Sequence, residues 1–160
     1  MTQATSRAAG ADNFILFEIA GTTYAVRSSL VQQVQMIEHV TPVPNAIPVV
    51  EGVVHVRGRV IPALNLRVRF GFQKIPFDMR ARLVVINLGG RVVGLIVDTA
   101  REFVLIPDAA IEVPPEGITK LSGKYLDGIA TFKERLILIL NIAQVIDVSG
   151  IEDMTAEVPS

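Results

Sequence analysis

The sequence predicts an all-β architecture of small barrels with a few short helices. Short apolar runs recur from Phe14 onward, broken at fairly regular spacing by Gly, Pro and Asn. Several of these runs alternate apolar with polar residues, the period of a strand with one wet face. Heptads, low-complexity tracts and strict repeats do not occur, and long helical patterns do not alternate with strands as they would in an α/β fold.

Composition narrows the class further. The 160 residues are 50% hydrophobic and 19% charged, a folding sequence with room for one domain or for two small barrels sharing a core. A formal net charge of −1 argues against a general polyanion binder. The absence of cysteine excludes disulfides, thiolate metal sites and a cysteine nucleophile, and suits the cytoplasm. No apolar run approaches the roughly 18–20 residues that span a bilayer. The opening MTQATSRAAGADN lacks the apolar core of a secretory signal. The expected organisation is a flexible tail over 1–13, a folded region over 14–148 and a second tail over 149–160.

The elements follow in order. FILFEIAGTTYAV gives two strands around a turn near Gly21, because β-branched and aromatic residues suit a half-buried pleated surface. SSLVQQVQMI opens with a short helix on the capping-box spacing, Ser29 capping and Gln32 three residues on. Three prolines between Thr41 and Pro48 make an extended loop. VVHVRG reads as a strand with Val54 and Val56 inward, followed by a reversal at Gly58-Arg59. In the next strand Pro62 cannot donate to a ladder, which places it at an edge or a bulge. Leu64, Leu66, Val68 and Phe70 continue the alternation, although Asn65 would also cap a single helical turn.

Gly89-Gly90 joins RLVVINL to RVVGLIVD as a hairpin, and the second of these strands is apolar enough to be buried on both faces. EFVLIP is a strand, AAIEV one short helical turn and PPEGITKLSGK a loop. YLDGIATFKERLILIL supplies the last two strands around Lys133-Glu134, and Asn141 with Gln144 starts a short terminal helix.

Little in this text points to catalysis. His39 and His55 have no second ligand at i+2 or i+4, so they read as surface histidines and not as a metal site. No phosphate loop or nucleophile elbow is present. Asp98 closes an apolar strand without a second carboxylate nearby in the chain. It reads as a structural group bonded to loop amides or to an arginine, with general acid–base work as the weaker reading. Asp127 and Glu134 are solvated turn residues. Arg57, Arg59, Arg67, Arg69, Arg80 and Arg82 would serve a nucleic-acid binder only if aromatic residues were interleaved with them, and few are. Strand alternation alone explains Arg59, Arg67 and Arg69 as wet-face residues, whereas a protein-docking role suits Arg57.

Five motifs in order resemble the CheW-like adaptor family of bacterial chemotaxis. They are GVVHVRGRVIP from Gly52 to Pro62, NLR from Asn65, VVGLIVD from Val92 to Asp98, YLDG from Tyr125 and LILILNI from Leu136. The resemblance implies two packed SH3-like β-barrel subdomains on a shared core, without catalysis, cofactor or metal. It implies a cytoplasmic adaptor at membrane-bound receptor arrays, neither inserted in the membrane nor bound to nucleic acid, and monomeric or weakly self-associating. The implied partners are the cytoplasmic tip of methyl-accepting chemoreceptors and the regulatory domain of a CheA-type histidine kinase. Residue by residue it implies partner docking for Arg57, Gly58, Gly52, Gln33 and Gly94, and structural roles for Asp98 and Pro62. Departures are Gln33 where relatives often carry an acid, Asn65 for an aspartate, and the displaced proline in Asn45-Ala46-Ile47-Pro48. They leave open a chemotaxis-like pathway of surface motility or pilus control.

Overall fold

Runs such as Phe14-Ile15-Leu16-Phe17 and Val92 to Val97 are apolar at every position because both faces of these strands are buried, against different cores. A computed structural model describes residues 10–115 and 123–147. Its strands are β1 (Ala11–Ile19), β2 (Thr22–Arg27), β3 (Val31–Met36), β4 (Val50–Val56), β5 (Arg59–Asn65) and β6 (Arg82–Leu88). They continue with β7 (Arg91–Val97), β8 (Thr99–Pro107), β9 (Ile111–Glu112), β10 (Leu126–Phe132) and β11 (Arg135–Leu140). One sheet has the order β8-β1-β2-β11-β10-β9 and the other β3-β6-β7-β5-β4.

The two sheets share a pairing scheme. In each, an antiparallel hairpin (β1–β2 or β6–β7) joins a second hairpin (β10–β11 or β4–β5) through one parallel pair, β2 with β11 or β7 with β5. The second sheet is one contiguous stretch of chain, whereas the first is assembled from both ends of the folded region.

Alternation sorts the side chains among three cores. Ile15, Phe17 and Ile19 of β1 and Val93, Leu95 and Val97 of β7 meet in a shared central core between the sheets. Phe14 and Leu16 fill a second core within the first sheet, and Val92 and Ile96 a third within the second. Phe17, Tyr24, Phe70 and Tyr125 form a run of ring contacts through the central core, with centroids 5.2–6.2 Å apart.

Four hairpins turn on two residues that are both left-handed: Ala20-Gly21, Arg57-Gly58, Gly89-Gly90 and Lys133-Glu134. That geometry matches the right-handed twist of the flanking strands. The β4–β5 turn therefore centres on Arg57-Gly58, with Val56 opposite Arg59, one residue earlier than the sequence places it.

Three further expectations change. The helix expected in SSLVQQVQMI is a single 3₁₀ turn, Ser28–Leu30, with no side-chain cap, and the rest is strand β3. Half-buried Val31, Gln33 and Gln35 alternate there with exposed Gln32, Val34 and Met36, so pairing to β6 overrides the capping signal. The alternation from Leu64 to Phe70 does not extend β5, because Asn65 accepts from the Arg67 amide at 3.0 Å and starts helix α1 (Leu66–Arg69). Pro62 does not lie on an edge strand, since β5 runs between β4 and β7. It is tolerated because pairing to β7 begins only at Ala63, and β4 shifts register between Val50 and Gly52, opposite the adjoining Leu64 and Ala63.

The helical turn near AAIEV is Asp108–Ala110, and Ile111 already belongs to β9. Asn141 caps helix α2 (Ile142–Val145) by accepting from the Gln144 amide. The expected tail over 1–13 is too long, since Ala11 to Asn13 already pair in β1 with β8; its residues 1–9, residues 116–122 of the expected loop and the tail over 149–160 lie outside the described residues.

Candidate docking surface

Two of the residues singled out from the sequence, Arg57 and Gly58, form the exposed tip of the β4–β5 hairpin. Val53, His55 and Val60 point outward and form one wall of a groove of about 450 Å³. Gln35, Ile37 and His39, at and beyond the end of β3, form the other wall. Thr41 bridges to Val53 through two backbone hydrogen bonds of 2.9 Å, which closes the groove. At the tip of the hairpin Arg57 is exposed with φ of 52°. A left-handed conformation costs a β-carbon-bearing residue about 1–2 kcal/mol, so the turn aims this side chain at some expense in stability.

The two interior glycines act on the groove from behind. A β-carbon on Gly52 (φ 155°) would lie 2.2 Å from the Thr41 carbonyl oxygen, so only glycine lets the bridging strand approach. A β-carbon on Gly94 would lie 2.7 Å from Cδ1 of Leu83, and Leu83 itself lines the groove. Both are buried, so a substitution at either reaches the groove through Thr41 or Leu83. Gln33 sits half-buried on β3 and its amide donates to Gln35 of the groove wall. Arg57 and Gly58 at the tip, and Gln33 through Gln35, thus border one surface.

Sequence reasoning missed Gln35, Ile37, Thr41, Val60 and Leu83, which the closure of the sheet brings to the groove. His39 and His55, read as separate surface residues, line the same groove. Among the described residues no three His, Cys, Asp or Glu side chains are placed to hold a metal ion.

Arg59 is exposed, as a wet-face residue would be, whereas Arg67 and Arg69 are structural. Arg67 donates through Nε and Nη2 to the two Asp98 oxygens, at 2.9 and 2.8 Å, and through Nη1 to the Gln73 carbonyl at 3.1 Å. Asp98 Oδ2 also accepts from the Ala20 amide at 2.8 Å. The carboxylate thereby ties the β1–β2 turn of one sheet to α1 of the other. Its hydrogen bond raises the Arg67 pKa above the ordinary arginine value, outweighing the opposing effect of burial. Arg69 donates to the carbonyls of Gln144, Val145 and Asp147, and Arg91 to that of Ile146, so both serve the C-terminal end of α2.

The wet-face reading of Arg67 and Arg69 therefore gives way to inward donation. Arg80 pairs with Asp78, and Arg82 donates to the Met79 and Ala81 carbonyls. Four of the six arginines that a nucleic-acid surface would recruit are thus committed to the chain's own acceptors. A cavity of about 200 Å³ does lie beside Asp98. With both oxygens bonded to a guanidinium and an amide, however, the carboxylate is a brace and is poorly placed to act as a base.

Similarity to known proteins agrees with this geometry. The sequence profile of the CheW-like domain family matches residues 13–149. The chain is 29% identical to the chemotaxis protein CheW of Klebsiella aerogenes, over 83% of this chain and 80% of that protein. It is also 29% identical to CheW of Bacillus subtilis, over 85% and 87%. The crystal structure of the scaffolding protein TtCheW from Thermoanaerobacter tengcongensis superposes with a TM-score of 0.79 at 28% identity, covering 88% of this chain and 90% of that one. Placed beside a two-sheet fold whose Asp98 carboxylate braces the two halves, these matches show that the chain belongs to the CheW-like domain family.

Proposed function

We propose that this chain is a non-catalytic adaptor that couples methyl-accepting chemoreceptors to a CheA-type histidine kinase in chemotaxis signalling. Family membership over 13–149 and the scaffold fold support the adaptor role. The single observation that carries the docking assignment is Arg57, held exposed in a left-handed turn next to a groove of mixed apolar and polar lining, with Val53, Val60 and Ile37 set among Gln35, His39 and His55. Arginine forks to carboxylates and stacks on aromatic or apolar surfaces, so this tip suits the side of a receptor helix bundle. Gly58 supplies the second left-handed turn residue, while Gly52 and Gly94 shape the groove through Thr41 and Leu83. Gln33, bonded to Gln35, contributes a neutral rim. The kinase regulatory domain is assigned to the first sheet, where edge strand β8 leaves Phe103 and Leu105 exposed to solvent. No described helix is long and apolar enough to cross a membrane, which is compatible with recruitment to arrays by docking.

The test is binding of Arg57→Glu to a cytoplasmic-tip fragment of the cognate receptor and, separately, to the kinase regulatory domain. Receptor affinity should fall at least tenfold while kinase binding stays within about twofold. Unchanged receptor affinity would remove Arg57 from the docking surface.

A further inference from the structure

The two sheets are built from two copies of one unit, interleaved along the chain. Residues 13–37 correspond to 82–106 without a gap, and 50–70 to 126–146, because the strand pairings coincide position by position. Edge strand β3 skips a residue between Val31 and Gln33, and edge strand β8 skips one at the matching place, between Ala100 and Glu102. Gly52 follows the bulge of β4 as Gly128 follows that of β10. Asn65 caps α1 as Asn141 caps α2, and the left-handed turn Arg57-Gly58 corresponds to Lys133-Glu134.

One pair of positions differs between the copies. In the first sheet Glu102 of β8 accepts from Arg135, the first residue of β11, in an ion pair of 2.8 Å. The counterparts in the second sheet are Gln33 of β3 and Arg59, the first residue of β5. The arginine is kept, but a neutral amide stands where the carboxylate was. Arg59 is exposed and pairs with no carboxylate among the described residues. Oε1 of Gln33 is buried without a hydrogen-bond partner among them, while its amide donates to Gln35 of the groove wall. The rim of the groove therefore carries an uncompensated guanidinium where the other copy holds a neutralised pair. We propose that Arg59 is a second docking residue and that the partner supplies the missing acid. An aspartate or glutamate side chain of the receptor tip would fork to Arg59 in the place that Glu102 takes beside Arg135. This rests on the groove being the receptor-docking surface. An acid is favoured over other occupants because docking strips water from the guanidinium, and a desolvated charge requires a counter-charge that the chain itself does not provide there.

Calorimetric titration of the full chain with a cytoplasmic-tip fragment of the cognate receptor, at about 0.1 and about 0.5 M NaCl, tests this. Arg59→Ala should weaken binding at least about fivefold at the lower salt and reduce the salt dependence, a readout that a purely structural role would not move. Gln33→Glu should complete the internal pair, so it should melt no lower than the parent. It should nevertheless bind at least about fivefold more weakly, since its carboxylate engages Arg59 and repels the partner's acid. Among amide replacements of the fragment's acids, one should weaken binding to the parent and leave binding to Arg59→Ala unaffected. An Arg59→Ala protein with the parent's affinity and salt dependence, a Gln33→Glu protein that binds as tightly as the parent, or no fragment acid coupled to Arg59 would each overturn the proposal. Loss of binding in Arg57→Glu alongside any of these would leave the docking surface itself standing. A parent chain with no affinity for the fragment would overturn the adaptor reading and this inference together.

Discussion

Removing the Asp98 carboxylate should loosen the two sheets from each other, and its cost can be worked out from the contacts it makes. Asp98→Ala leaves the Arg67 guanidinium without its two carboxylate bonds and the Ala20 amide without an acceptor. Hydrogen bonds to charged groups contribute about 1.5–3 kcal/mol each, and breaking a buried ion pair from one side costs about 3–5 kcal/mol. These side chains are 18% and 25% exposed, so water recovers part of the loss, and an overall cost of about 2 kcal/mol is expected. At this chain length that lowers Tm by about 4–8 °C. Urea unfolding of Asp98→Ala, Arg67→Ala and the double variant closes a mutant cycle, in which the pair should couple by about 1–2 kcal/mol. Coupling within 0.5 kcal/mol of zero, roughly the additivity error, would refute the brace. The raised Arg67 pKa sets the pH behaviour. The contribution is complete below the ordinary arginine range and is lost only as pH rises through the raised value, so it is flat across neutral pH.

Other perturbations separate the roles of neighbouring groups. Gly52→Ala should cost at least about 2 kcal/mol, because its β-carbon meets a backbone carbonyl that cannot move without opening the Thr41–Val53 bridge. Gly94→Ala meets only the flexible end of Leu83 and should cost about 1 kcal/mol, so thermal melts that rank the two in reverse would sink this account of the groove. Burial raises the Tyr24 phenol above its ordinary pKa of about 10, whereas the unfolded phenol ionises near that value. Its contribution is therefore present below about pH 10 and lost as pH rises through the folded value. Alkaline unfolding curves of the parent and Tyr24→Phe should diverge there, and parallel curves would contradict the assignment.

The sequence made the strands legible because their apolar runs are bounded by turn residues, and the family motifs were legible because they recur in order. What it could not show was the reach of long side chains. Arg57, Arg67 and Arg69 share the same local text of apolar neighbours. One occupies a left-handed turn, one reaches a carboxylate 31 positions on, and one reaches carbonyls about 75 positions on. Period-2 alternation also concealed the switch at Asn65, where a side-chain cap ends a strand and begins a helix without breaking the apolar pattern. The groove eluded sequence reasoning for a related reason. The bridge between Thr41 and Val53 joins a proline-rich loop to a strand, and neither segment carries a mark of the other.

The uneven assembly of the two sheets bears on how the chain is made. Everything the second sheet needs, β3 to β7, lies between Val31 and Val97 and can close as soon as it leaves the ribosome. The hairpin ending at Arg27 emerges first but must wait for β11, which finishes at Leu140. At about 5–20 residues per second, that wait is on the order of ten seconds. During it Phe14, Leu16 and Phe17 have no mates from the C-terminal strands, so nascent chains stalled near residue 100 should be the species that chaperones hold.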